Sequence, residues 1–122
     1  MRTKKILLVD DARTTLFLEE MLLVGKYRVV KATSGQEALS QAESERPDLI
    51  LLDLVMPEMD GLETCRHLRA LDATRNVPIL FVTPRGQEVL LTEPTACAPS
   101  DVITKPINGE ELLTKVQRLL PD

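Results

Sequence analysis

The stretch LILLDLVMPEMDG, Leu49 to Gly61, sets four large aliphatic residues in succession and ends them on a single carboxylate, Asp53. An unbroken apolar run of that length, without polar alternation, is the signature of a strand buried on both faces. Met56-Pro57 then stops the strand, because proline has no N–H to give a ladder. Asp60 and Glu63, placed as N-cap and N3 residues around Gly61, predict a helix from there to about Leu71. An acid at the exit of a buried strand, followed by a loop and a helix, is the pattern that the other segments repeat.

Four further aliphatic runs occur: Ile6–Val9, Arg28–Ala32, Ile79–Val82 and Val102–Ile103. Helical segments separate them. Ala12–Val24 carries Leu16, Met21, Leu22 and Leu23 as a rough apolar stripe, and Ser34-Gly35-Gln36-Glu37 opens a helix through Glu43 as a capping box. Asn108-Gly109-Glu110-Glu111 opens the last helix, Gly109–Leu120, which Pro121 ends. Pro84, Pro94 and Pro99 bracket the segment Arg85–Ser100 and limit any helix there to about two turns near Gln87–Glu93. Strand and helix alternate through the chain with no repeat or linker, which predicts one domain over residues 1–122 and a doubly wound parallel sheet covered on both faces.

Composition narrows the function classes. The 122 residues have a formal net charge of −4 and only three aromatic residues, Phe17, Tyr27 and Phe81. That leaves neither a basic surface for a phosphate backbone nor a platform for stacking bases, so direct nucleic-acid binding is not expected. The N-terminal apolar run is too short for a signal peptide, and nothing approaches a membrane span, so the expected location is the cytoplasm. Cys65 and Cys97 have no metal-type spacing and are expected to be plain thiols. His67 and the helix arginines Arg66 and Arg69 are expected on a solvated face, with Arg75 beyond them.

In a parallel sheet with right-handed crossovers, the carboxyl ends of the strands share one edge, where ligands bind. Asp10 and Asp11 follow the first strand, Asp53 ends the third, Thr83 the fourth, and Lys105 the fifth. Each acid alone could merely cap the helix that follows it. The strand order is not readable from these patterns, but if the first, third, fourth and fifth strands are neighbours, three carboxylates converge, repel one another and need a cation or a proton to stay close. An all-oxygen donor set suits a hard ion such as Mg²⁺. A carboxylate beside such an ion can attack a phosphoryl group and form an acyl phosphate, with Lys105 supplying positive charge and Thr83 a hydroxyl.

At these residues the chain resembles the receiver domains of two-component response regulators. The matching pieces are ILLVDDARTT, PDLILLDLVMPEMDGLE, VPILFVT and ITKP, in the family's order, from Ile6 to Leu120. The resemblance implies a flavodoxin-like (βα)5 fold, five parallel strands in the order 2-1-3-4-5 with five helices. It implies a phosphorylation-dependent signalling switch in a phosphorelay, without turnover of an external substrate. Asp53 would accept the phosphoryl group from a histidine kinase or phosphotransfer protein. Asp11 would bind Mg²⁺ directly, Asp10 through water, and Val55 through its backbone carbonyl, with Asp53 completing the set. Lys105 would pair with a phosphoryl oxygen, Lys105-Pro106 would be cis, and Thr83 would be the switch hydroxyl. Pro57 and Gly61 would shape the loop into the third helix. A downstream output domain or protein would be the second partner, and the chain itself a monomer or weak dimer.

Two departures stand out. Pro84 follows the switch threonine, where the family usually has a small residue whose N–H reaches the phosphoryl group. Val102 stands three residues before Lys105, where the family commonly has a Tyr or Phe ring, and TACAPSD replaces the usual turn. These predict a weaker or shorter-lived phosphorylated state and an altered output face. The competing reading is a receiver-shaped binding module that works without phosphate. A phosphohydrolase of the haloacid dehalogenase type would need an acid at Val55, and a dinucleotide site would need glycines where Asp10-Asp11 stand.

Overall fold

In a computed structural model of the chain, residues 3–86 and 100–121 are described. Five strands form one sheet: β1 (Lys5–Val9), β2 (Arg28–Ala32), β3 (Leu49–Asp53), β4 (Ile79–Pro84) and β5 (Asp101–Lys105). Among the described residues four helices accompany them: α1 (Arg13–Leu23), α2 (Gly35–Glu45), α3 (Gly61–Ala70) and α4 (Gly109–Leu119). The strands run parallel in the order β2-β1-β3-β4-β5. The predicted helical turns near Gln87–Glu93 lie outside the described residues, as does Cys97.

Alternation along the strands divides the core into two apolar layers. Leu7, Val9, Ile50, Leu52, Ile79 and Phe81 face α2 and α3, meeting Ala38, Ala42, Cys65 and Leu68. Ile6, Leu8, Leu49, Leu51, Leu80, Val82 and Ile103 face α1 and α4, meeting Leu16, Leu23, Leu112 and Val116. Every residue of β3 is buried, as the unbroken aliphatic run requires. Cys65 fills the first layer but is disulfide-bonded, not the free thiol that the sequence suggested.

Local capping follows the sequence signals. Ser34, Asp60 and Asn108 each accept a hydrogen bond from the backbone N–H three residues on, at 3.1, 2.9 and 3.0 Å. The α1 stripe departs from expectation. Its buried positions are Leu16, Glu19 and Leu23, while Met21 is exposed. Arg69, expected on a solvated face, is half-buried and turns its guanidinium onto the carbonyls of Thr74 and Val77, so it ties down the loop into β4. His67 is exposed near Glu63 on α3.

Candidate metal and phosphoryl site

The sheet is built outward in opposite senses from β1 and β3, so the strand order reverses between them, and the crevice at such a point opens at the strands' carboxyl ends. Asp10 follows β1 directly and Asp53 closes β3, with Val9 and Leu52 paired in the preceding rung. Lys105 closes β5, two strands away, where its register partner is Pro84. Its side chain crosses β4 to stand 3.5 Å from Asp10 Oδ2 and 3.5 Å from Asp53 Oδ1. Asp10, Asp11 and Asp53 each offer one carboxylate oxygen, all within 4.8 Å of one another. Residues 42 positions apart in the chain, Asp11 and Asp53, thus share one pocket.

The alternative of simple helix capping holds for one oxygen only. Asp10 Oδ1 accepts the Ala12 N–H at 2.8 Å, just ahead of α1. Asp53 caps nothing, because α3 takes its cap from Asp60. Asp10 Oδ2 and Asp53 Oδ1 are buried without a hydrogen-bond partner. The one Lys105 ammonium stands at ion-pair distance from both, and buried carboxylate oxygens without hydrogen bonds are costly unless more positive charge satisfies them. A hard divalent cation fits this donor set by charge, by atom type and by the open oxygens.

Charge balance in the pocket is uneven. Burial, then Asp10, push the Asp53 carboxyl up to about 6, while Lys105 and the Val55 N–H pull the other way. Burial also raises Asp10, against the Ala12 N–H and Lys105. For Lys105 burial works downward, but Asp53 and Asp10 outweigh it and raise the ammonium's pKa. The pocket is short of positive charge in each case.

The remaining expected residues line the rim. Thr83 is buried at the end of β4, one step past Val82, the partner of Asp53, and its Oγ1 donates to the Pro84 carbonyl at 3.3 Å. Val55 lies on the loop after β3 and is 49% exposed. Gly61 is forced: a Cβ there would lie 2.4 Å from the Asp53 carbonyl oxygen. Its N–H donates to the Leu54 carbonyl, so α3 starts hard against the end of β3. Glu58 holds φ at 64° between Pro57 and this start. Lys105-Pro106 is cis, as the resemblance implied.

One acid escaped the sequence reading. Glu19 is buried on α1, and burial, Asp10 and Asp53 push its carboxyl up to about 8 against the pull of Lys105. Its spacing from Leu16 and Leu23 is the signal that could have found it, an acid inside a three-four apolar stripe.

A doubly wound parallel sheet with an acidic pocket at its switch point, and a lysine reaching into it from β5, defines an α/β domain of the flavodoxin-like class. The response regulator receiver domain profile matches residues 6–117, and the chain belongs to that family. The alkaline phosphatase synthesis transcriptional regulatory protein PhoP of Bacillus subtilis is 37% identical over 118 residues, which are 96% of this chain and 48% of PhoP. Protein PilH of Pseudomonas aeruginosa is 33% identical, with 95% of this chain and 97% of PilH covered. The chain therefore spans about half the length of relatives such as PhoP and ResD, and nearly all of PilH. Among solved structures, the Vibrio cholerae chemotaxis protein CheY4 superposes with a TM-score of 0.90 at 32% identity, covering 97% of this chain and 99% of that one. The receiver domain of a Pseudomonas aeruginosa sensor histidine kinase, solved with magnesium coordinated in its active site cleft, gives 0.86 at 30% identity over 99% of this chain and 100% of that one.

Proposed function

We propose that the chain is one receiver domain over residues 1–122, a phosphorylation-dependent switch whose phosphoacceptor is Asp53. The observation that carries this reading is the buried Asp53 Oδ1, without a hydrogen-bond partner and paired with Lys105 at 3.5 Å, with Asp10 and Asp11 beside it. Asp11 and Asp53, Asp10 through water and the Val55 carbonyl would hold Mg²⁺. Bound there, the ion would supply positive charge to offset that of the carboxylates and the phosphoryl oxygens.

This chain's own residues do the rest. An Asp53 carboxylate oxygen forms the new bond to phosphorus as the donor's P–N bond breaks, and the imidazole of the kinase or phosphotransfer protein leaves with the electron pair. Asp53 is ionised for this step over most of the neutral range, since its pKa is about 6. The Lys105 ammonium, already between the two acids, is placed to pair with a phosphoryl oxygen. Thr83 supplies a hydroxyl that exchanges the Pro84 carbonyl for the phosphoryl group. The chain takes part in its own phosphorylation and dephosphorylation and turns over no external substrate. Its partners would be a histidine kinase or phosphotransfer protein and an output domain or protein, with the chain a cytoplasmic monomer or weak dimer.

Incubation with acetyl phosphate and Mg²⁺ tests this: one phosphoryl group per chain is expected, absent in Asp53→Asn and without divalent cation. A chain that stays unlabelled supports the second reading, a phosphate-independent binding module. That reading is favoured by Pro84, which has no N–H to offer beside Thr83, and by Val102, which packs as an aliphatic residue of the α2–α3 layer.

A further inference from the structure

Glu19 occupies the middle of the α1 face that packs on the sheet, between Leu16 and Leu23. It is 1% exposed, in a layer otherwise built from Leu8, Leu51, Val82, Ile103, Leu112 and Val116. An aliphatic side chain would fill that slot without cost, whereas a buried carboxyl loses its hydration. Its Oε1 has no hydrogen-bond partner. Among the described residues, the other buried side-chain oxygens in that condition are Asp10 Oδ2 and Asp53 Oδ1.

Strand alternation explains why the three occur together. Leu8, Leu51 and Ile103 face α1 and α4. Asp10, Asp53 and Lys105, each two residues further along, emerge on that same face at its upper end. Glu19 stands on the α1 face turned to that side of the sheet, and after burial Asp10 is the strongest charge acting on its carboxyl, ahead of Lys105 and Asp53. From α4 the facing residues are the apolar Leu112 and Val116, while Lys115 is occupied with Asp101 and Glu111.

We infer that Glu19 is a buried acid behind the pocket, a positioning residue that keeps its proton while the three outer acids lack a cation and releases it when a divalent cation binds them. The inference rests on the reading of that pocket as a cation site. Its logic is charge sign. Three carboxylates against one ammonium hold the local potential negative, which disfavours ionising a fourth acid nearby. Two added positive charges reverse that sign, and by linkage the loss of the proton tightens the cation in return. Burial then sets where the exchange occurs, with Glu19 titrating at about 8 before the cation arrives.

Calorimetric titration of MgCl2 into the full chain at pH 7.5, run in HEPES and in Tris, counts protons from the difference in buffer ionisation heats. With a pKa of about 8, Glu19 is roughly three-quarters protonated at that pH, so wild type should release up to about 0.7 proton per Mg²⁺. Glu19→Gln and Glu19→Leu should release only the small remainder from Asp10 and Asp53. In wild type the Mg²⁺ dissociation constant should fall by up to about tenfold from pH 7 to pH 9, and by less than about twofold in either variant. Equal proton release in wild type and variants, or a wild-type constant that is flat over that range, overturns the inference and leaves the cation site standing. No Mg²⁺ heat in any of the proteins overturns both.

Discussion

The ammonium of Lys105 stands 3.5 Å from Asp53 Oδ1, an ion-pair distance longer than the ~2.8 Å of a charge-assisted hydrogen bond. Lys105 is shared with Asp10 at the same distance, so it is committed to neither acid. That geometry leaves the buried Asp53 Oδ1 without a hydrogen bond while the ammonium still lowers its pKa. Lys105→Met keeps the aliphatic stem and removes the charge. The Asp53 carboxyl should then titrate clearly above about 6, by roughly one further pH unit or more, in a carbon-13 NMR titration of the metal-free protein. An unmoved titration would mean that the two groups are not neighbours in solution.

Asp53 also sets a direction for stability against pH. Its folded pKa, about 6, lies above the ordinary 3.8, so the folded chain holds the proton more tightly than the unfolded one. The associated stability is fully present below pH 3.8 and is lost as pH rises through about 6. Metal-free protein should therefore lose up to about 3 kcal/mol from this group between those limits. Asp53→Asn should flatten that part of the profile and be the more stable protein at pH 7.5, by urea unfolding in EDTA.

Divalent cation should reverse that penalty. Binding to the folded state alone adds about 2.7 kcal/mol at one hundred times the dissociation constant. Mg²⁺ should thus raise the melting temperature by several degrees at pH 7.5, and EDTA should remove the gain. Asp11→Asn should abolish most of the shift while leaving the metal-free melting point within about a degree, since Asp11 is exposed and takes no part in the core.

How legible all this was in the amino-acid order depends on the kind of signal. Leu49–Leu52 announces a strand buried on both sides because nothing polar interrupts it, and β3 is fully buried. Asp60, Ser34 and Asn108 mark helix starts by local chemistry, and each caps as expected. The meeting of Asp10, Asp53 and Lys105 needed the strand order, which local patterns do not contain; only the resemblance supplied it. Glu19 was missed for a different reason. In LFLEEMLL the apolar residues outnumber the slots on one helical face, so counting them pointed to Met21, whereas the sheet contact selected Leu16, Glu19 and Leu23. Strand ends ran one or two residues past the aliphatic runs, as at Pro84 and Lys105, because ladder pairing continues through polar residues.

Glu19 carries a larger pH signature than Asp53. Its folded pKa of about 8 against an ordinary 4.5 means that stability is fully present below 4.5 and lost as pH rises to about 8, an upper bound of about 5 kcal/mol. Glu19→Leu removes the desolvated carboxyl and completes the apolar stripe. It should match wild type near pH 4.5 and exceed it by at least about 1–2 kcal/mol at pH 8 in metal-free buffer. Equal denaturant midpoints at both pH values would place the Glu19 carboxylate in water.

Pro84 is the last residue of β4, in register with Lys105, directly after the Thr83 hydroxyl. A residue with an N–H at that point could donate to a phosphoryl oxygen on Asp53, and proline cannot. A hydrogen bond to a charged acceptor contributes roughly 1.5–3 kcal/mol, or about one to two powers of ten in an equilibrium or a rate. Proline also confines Thr83 to extended backbone, so the hydroxyl must turn toward the phosphoryl group without help from its own main chain. Pro84→Ala restores the donor and frees Thr83, and Pro84 is partly exposed at the strand end, so the exchange should alter stability little. After labelling with acetyl phosphate and Mg²⁺, the aspartyl phosphate of Pro84→Ala should persist about tenfold longer than that of wild type. Equal lifetimes would show that water already occupies the missing donor's place, and that the proline has no part in how long the signal lasts.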